Sequence, residues 1–328
     1  MLILSQKQIR TIYPMEDCLE DVRKAFLYDA QGETITPVRT AVEHEKAGGT
    51  SLIMPSYLKP LDYAAVKVIT IFPNNEQGNP ALKSVILLTE TQTGKQTALM
   101  DASFLTVLRT GAASGVATDH LARKNARSAA ILGCGAQALG QVQAVMAVRN
   151  LEQLVLYNRT TEKAVEFAEV ISSLYPDWNG EIKIAKTGND AVKEADIIVC
   201  STKSTEPLFD GNYLRPGTHI NAIGAFKPQM REVDLVTLKR CSKIVVDTIE
   251  GARDEAGDLL IPEKAGQWSF DMLYGELGEL VAGRKAGRTS EDEITLYKSV
   301  GVAYLDTAVA AAVFMKAVEN GVGYEVAL

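Results

Sequence analysis

The stretch Ala129-Ala130-Ile131-Leu132-Gly133-Cys134-Gly135-Ala136-Gln137-Ala138 decides how the rest of the chain is read. Ala129 to Leu132 reads as a buried strand, Gly133 permits a tight turn, and Gly135 leaves room for a pyrophosphate against the backbone. The helix expected from Ala136 to Val148 then offers free N-terminal amides and the positive end of its dipole. Such a glycine string is weak evidence alone. Between a strand and a helix it points to a bound dinucleotide.

Working outward, strands are expected near Ser128 to Leu132, Leu154 to Tyr157, Ile182 to Ala185, Asp196 to Cys200, His219 to Ile223 and Lys243 to Asp247. Helical segments separate most of them, which fits an α/β fold with a doubly wound parallel sheet of Rossmann type. Acidic and glycine-rich loops are expected after Asp247, followed by a helical end from Ile294 to Glu319 whose apolar face must pack on something. The first third reads differently. Asp17 to Tyr28 is amphipathic at helical spacing, and Val38 to His44, Ser51 to Met54, Ala64 to Thr70 and Val85 to Thr89 look extended. Helices and strands without regular alternation suggest an α+β domain with a largely antiparallel sheet.

The 328 residues exceed what one core usually organises, so two domains are expected. We place one at 1–118 with 302–328 and the Rossmann domain at 119–301. No apolar run approaches the roughly 20 residues of a membrane span, and the first residues do not resemble a secretory signal, so a cytoplasmic location is expected. A net charge of -7 argues against nucleic acid as a partner. Cys18, Cys134, Cys200 and Cys241 are scattered and read as buried thiols. Neither they nor His44, His120 and His219 have metal-ligand spacing, so no metal is expected.

Residues Tyr157-Asn158-Arg159-Thr160 end the second Rossmann strand, where NAD-selective folds place a carboxylate for the ribose hydroxyls. None is present. Asn158, Arg159 and Thr160 suit a 2′-phosphate, which favours NADPH with NADH possible; the alternative is a solvated surface Arg159 and indifference between the two cofactors. Ser201-Thr202-Lys203-Ser204 should lie at the carboxyl edge of the sheet, where ligands collect. Lys67 is a single cation in an apolar strand, either on a wet face or aimed into a pocket. Were Arg39 and Arg109 to converge on it, the three would bind a small carboxylic acid; otherwise they are ordinary surface cations. Asp247, at a strand end, is better placed for chemistry than the acidic run Glu250 to Asp258.

Lys67 in its strand, Leu108-Arg109-Thr110-Gly111-Ala112-Ala113-Ser114, the Gly133 to Gln137 turn, Gly275-Glu276-Leu277-Gly278-Glu279 and Ile294 to Gly301 together resemble the ornithine cyclodeaminase/mu-crystallin family over nearly the whole chain. The resemblance implies an N-terminal substrate and dimerisation domain completed by the C-terminal helix, and hence a homodimer. It implies Arg39, Lys67 and Arg109 around the substrate, with Lys67 and Arg109 near its carboxylate and Lys67 handling the proton. It places cofactor contacts at Thr110, Ala136, Gln137, Asn158, Arg159, Thr160, Ser201, Thr202, Ala222, Ile223 and Val300. Cyclodeaminases and related alanine dehydrogenases carry an aspartate where this chain has Phe226, and a phenylalanine cannot transfer a proton. The segment looks more like mu-crystallin and the bacterial reductases of 1-pyrroline-2-carboxylate and 1-piperideine-2-carboxylate. The expectation is therefore NAD(P)H-dependent reduction of such a cyclic ketimine carboxylate to L-proline or L-pipecolate. The alternatives are an ornithine cyclodeaminase or amino-acid dehydrogenase, and a non-catalytic NADPH and small-ligand binder.

Overall fold

Residues 1–73, 75 and 82–327 are described by a computed structural model, in which the chain divides into a unit of Met1–Arg109 with Val302–Leu328 and a unit of Thr110–Gly301. The first contains β1 (Leu2–Leu4), α1 (Gln6–Ile12), α2 (Met15–Ala30), β2 (Thr34–Ile35), β3 (Thr40–His44), β4 (Gly49–Leu58), β5 (Tyr63–Ile71), β6 (Leu82–Glu90) and β7 (Gln96–Asp101). Helix α3 (Ser103–Leu121) runs across the division, which falls at Arg109, earlier than the residue 118 drawn from sequence. The second unit holds β8 (Ser128–Leu132), α4 (Ala138–Val148), β9 (Gln153–Tyr157), α5 (Thr161–Leu174), β10 (Glu181–Ile184), α6 (Gly188–Val192) and β11 (Ile197–Cys200). It continues through β12 (His219–Ala222), α7 (Leu235–Arg240), β13 (Lys243–Val246), α8 (Ile249–Glu255), α9 (Gly257–Lys264), β14 (Gly275–Glu276), α10 (Leu277–Val281) and β15 (Thr295–Lys298). The chain then returns to the first unit as α11 (Ala303–Glu319) and β16 (Tyr324–Glu325).

In the first unit the strands run in the order β16-β1-β7-β6-β5-β4-β2, with β3 also pairing with β4. All pairs are antiparallel except β1 with β7. Side chains alternate between faces along a strand. Met54, Ser56 and Leu58 of β4, Ala65, Lys67 and Ile69 of β5, and Ile86 and Leu88 of β6 are accordingly buried, while their neighbours are half-buried or exposed. Helix α11 packs on β4, β5 and β6 and against α2. Its run of Ala308, Ala310, Ala311 and Ala312 is buried and lets it lie close. Ser56 Oγ reaches the Ala303 carbonyl at 2.8 Å and fixes the first turn.

In the second unit every strand is parallel, in the order β10-β9-β8-β11-β12-β15-β13-β14. The expected helix from Ile294 is corrected here: Thr295–Lys298 is a strand between β12 and β13, and the helix starts only at Ala303. A strand buried on both faces shows no alternation and cannot be told from helix by periodicity. The break comes at Gly301, whose φ of +86° suits glycine. The expected loops after Asp247 are helices α8 and α9, the first capped by Thr248 Oγ1, which accepts from the Gly251 amide. Helix α4 begins at Ala138, with Gln137 as its N-cap, not at Ala136. Strands β1, β2 and β7 and helix α1 were also not anticipated; β1 and β2 span only three and two residues. Cys18 and Cys200 are buried, but Cys134 and Cys241 are only half-buried. Among the described residues no helix is long and apolar enough to cross a membrane.

Candidate functional site

The alternation of β5 turns Lys67 toward the helical layer of the first unit, where α3 supplies Arg109 and α11 supplies Asp306. Lys67 Nζ donates to Asp306 Oδ2 at 2.5 Å, and Arg109 Nε donates to Asp306 Oδ1 at 3.0 Å. Lys67 is 1% exposed, Arg109 6% and Asp306 1%, so Lys67 and Arg109 are not surface cations. One carboxylate therefore joins two buried cations. Burial pushes the Lys67 ammonium down to about 7, with Arg109 and Arg39 adding to the fall and Asp306 opposing it. Arg39 is half-buried and precedes β3 instead of lying within it; its charge nevertheless reaches Lys67. Asp306 was not singled out from the sequence. The available signal was a lone carboxylate in the apolar run Ala303-Tyr304-Leu305-Asp306-Thr307-Ala308, which rarely stays buried unless paired.

In the second unit the carboxyl ends of parallel strands share one edge. Gly133, after β8, has φ +101°, and a Cβ there would lie 2.6 Å from Thr202 Cγ2 and 2.9 Å from the Ser201 carbonyl. Ser201 Oγ donates to the Gly133 carbonyl at 2.9 Å, tying the turn to the end of β11. At Gly135 the surroundings are open, with nothing within 4 Å of an added Cβ. Gln137 caps α4 without a side-chain bond, and the Ala138 amide turns back to the Gly135 carbonyl at 3.1 Å, so Ala136 and Gln137 join the glycine turn to the helix. The Asn158 carboxamide accepts from the Cys134 amide at 3.1 Å and donates to the Thr160 carbonyl at 2.9 Å. Asn158 thus organises the turn, while Arg159 and Thr160 are exposed.

Ala222 and Ile223, at the end of β12, are buried, as is Val300 after β15. The loop carrying Val300 is held by Asp247, whose Oδ2 accepts from Ser299 Oγ at 2.7 Å and from the Val300 and Gly301 amides at 2.9 and 2.7 Å. Asp247 is thus fully used in shaping a loop. In the acidic run, Asp258 is buried and pairs with Lys298 at 2.7 Å. Thr110 is half-buried on α3, one residue before the point where α3 meets α4 so closely that a Cβ on Gly111 would lie 2.1 Å from the Gly140 carbonyl oxygen.

The parallel sheet with its glycine turn is of Rossmann type, here joined to a unit with a buried cation–carboxylate cluster. The chain belongs to the ornithine cyclodeaminase/mu-crystallin family, whose family model matches residues 1–321. It is 40% identical over 327 residues to the Delta(1)-pyrroline-2-carboxylate reductase of Bacillus cereus, covering 99% of each chain. The structure of Thermococcus litoralis Delta(1)-pyrroline-2-carboxylate reductase in complex with NADH and L-proline is 42% identical, with a TM-score of 0.94 over 99% of this chain and 100% of that one. An archaeal alanine dehydrogenase dimer with bound NAD is 33% identical, with a TM-score of 0.92 over 100% of this chain and 99% of that one.

Proposed function

We propose that this protein reduces a cyclic ketimine carboxylate, 1-pyrroline-2-carboxylate or 1-piperideine-2-carboxylate, to L-proline or L-pipecolate with NAD(P)H as hydride donor. The observation that carries the reading is the buried Lys67–Asp306–Arg109 cluster, supported by the likeness to the two reductases. Arg109 meets Asp306 through Nε, and its outer nitrogens form a planar fork suited to a substrate carboxylate. Arg39 adds a positive charge that reaches Lys67. With its ammonium brought down to about 7, Lys67 exists as acid and base in comparable amounts near neutral pH, the condition for moving a proton. It would protonate the ring nitrogen, making the imine carbon electrophilic. Asp306 holds Lys67 and Arg109 in place and keeps Lys67 from deprotonating outright.

The residues of the second unit fit a dinucleotide: Gly133 makes the tight turn against Ser201 and Thr202, and Gly135 leaves an open approach at the start of α4, the arrangement that receives a pyrophosphate. Gly133, Gly135, Ala136, Gln137, Ser201 and Thr202 would hold it, with Thr110, Ala222, Ile223 and Val300 as further contacts. When bound, it supplies the hydride. Exposed Arg159 beside Asn158 and Thr160, with no carboxylate at the end of β9, favours NADPH over NADH. Phe226 packs half-buried on the apolar core of this unit and has no proton to exchange, which disfavours deamination. In the first unit, Val66, Val68, Val85 and Leu87 sit on the face of β5 and β6 away from the buried one, half-buried or exposed. That face suits pairing with a second copy in a homodimer.

The test is loss of NADPH absorbance with each cyclic imine, run beside an ammonia assay with ornithine and alanine. Rapid NADPH oxidation without ammonia release is expected. Ammonia from either amino acid with an inert imine assay refutes the reading.

A further inference from the structure

Glu232 lies between β12 and α7 and is wholly buried, yet the proposed reaction does not use it. Its Oε1 accepts from the Thr202 amide at 2.5 Å and from Thr202 Oγ1 at 2.8 Å. Its Oε2 accepts from the amides of Gly224 and Ala225 at 2.7 and 3.1 Å. These four donors belong to two different loops, one following β11 and the other following β12. The loops touch through bare backbone: a Cβ on Gly224 would sit 2.2 Å from the Thr202 carbonyl oxygen and 2.5 Å from Glu232 Oε1. Behind Glu232 stands a second carboxylate. Asp258 Oδ1 accepts from the Glu232 and Val233 amides at 2.6 and 3.0 Å, and its Oδ2 takes Lys298 Nζ at 2.7 Å.

We propose that Glu232 is a positioning residue for the dinucleotide, its ionised carboxylate drawing the Thr202 and Gly224–Ala225 loops into the one arrangement that binds the cofactor. This deepens the assignment of the cofactor to this edge and rests on it. With every lone-pair direction engaged by protein, Glu232 is not a reacting group. Its influence passes through the loops that carry Ser201, Thr202, Ala222 and Ile223.

The charged and titratable groups facing it are Asp258 from α9, Lys298 from β15 and the Cys200 thiol from β11. Burial first, and Asp258 second, push the Glu232 carboxyl up to about 7, against Lys298 and the Thr202 hydrogen bonds. A proton on Glu232 removes the charge that holds both loops, and on Oε2 it would face only the Gly224 and Ala225 amides, so the grip on the loop after β12 weakens. Dinucleotide affinity should then fall as pH drops through about 7 and be full above it.

NADH is the suitable probe, because the 2′-phosphate of NADPH titrates near the same pH. Fluorescence titration of the full-length protein with NADH, across about one to two units either side of pH 7, gives Kd as a function of pH. For the wild type we expect Kd to rise roughly tenfold per unit below the midpoint, the limit for one linked proton. Glu232→Gln should bind NADH about tenfold or more weakly above pH 7, with no pH dependence and with an unchanged imine KM at saturating cofactor. Asp258→Asn, which removes a neighbouring negative charge, should move the midpoint to lower pH. A wild-type Kd that is flat with pH overturns the proposal without recourse to a variant, as does wild-type NADH affinity in Glu232→Gln. Failure of the wild type to bind NADH at any pH refutes the assignment of the dinucleotide itself.

Discussion

Replacing Asp306 by asparagine keeps the side chain's shape and removes the carboxylate charge that stabilises the Lys67 ammonium at 2.5 Å. An opposite charge at such a distance shifts a buried group by about 1 to 3 pH units. Taking about 2 units, the Lys67 value falls from about 7 to about 5, and near neutral pH its protonated fraction drops from about one half to about one hundredth. If Lys67 is the acid that protonates the imine, kcat/KM at pH 7 falls about 50-fold by this route alone. The sign gives a sharper signature than the size. A base whose value is lowered is active as an acid only below it, so activity declines as pH rises through about 7 in the wild type and through about 5 in Asp306→Asn. The assay is steady-state NADPH oxidation by both proteins over a pH series with one imine, whose own titration is common to both and cancels in the ratio. Melting temperatures are measured in parallel, because breaking a buried ion pair costs about 3 to 5 kcal/mol. A uniform loss of activity with the pH profile unmoved would refute the role given to Lys67 and leave Asp306 as a purely structural carboxylate.

Arg109→Ala should raise the imine KM about 30-fold or more, since hydrogen bonds to charged groups contribute about 1.5 to 3 kcal/mol each. Removing its charge should also raise the Lys67 value and move the alkaline decline upward, opposite to Asp306→Asn; the same pH series reads both. Gly133→Ala forces a side chain into a backbone with φ +101° and against Thr202, so a loss of about 2 kcal/mol in unfolding free energy by denaturant titration is expected, together with loss of NADH binding. Arg159→Ala should weaken NADPH by about tenfold while leaving NADH Kd unchanged, a difference that two parallel binding titrations resolve.

What the sequence made legible was local. The strand, glycine turn and helix around Gly133 lie in one continuous stretch, and Lys67 stood out as the single cation in a run of Ala, Val and Ile. Strand β15 was misread because burial on both faces erased its period, and because it joins the sheet out of chain order, between β12 and β13. Asp247 looked like a candidate for chemistry and is instead the anchor of the Ser299 to Gly301 loop. Asp306 and Asp258 carried no motif, and Glu232 stood with Arg231 only as part of the segment after Pro228 that carried the family resemblance. What distinguishes them is which cation or amide each one meets, and those partners come from other elements of the fold.

The separation of partners in the first unit has a physical consequence. Lys67 and Arg109 stand 239 and 197 residues before Asp306, with the whole Rossmann unit inserted between them in the chain. The last helix also brings Thr307 to Ser56 and Lys316 to Asp17, both at 2.5 Å. Without α11 the two cations would face a half-built core and lose the Asp306 carboxylate that pairs with both, and burying an unpaired ion costs several kcal/mol. Docking of that helix therefore completes the core and fixes the protonation of Lys67 in the same step. An apolar residue at 306 would not relieve this, because both cations would remain to be desolvated without a partner. The carboxylate that lets the first unit close is the one that sets the acidity on which the proposed reaction depends.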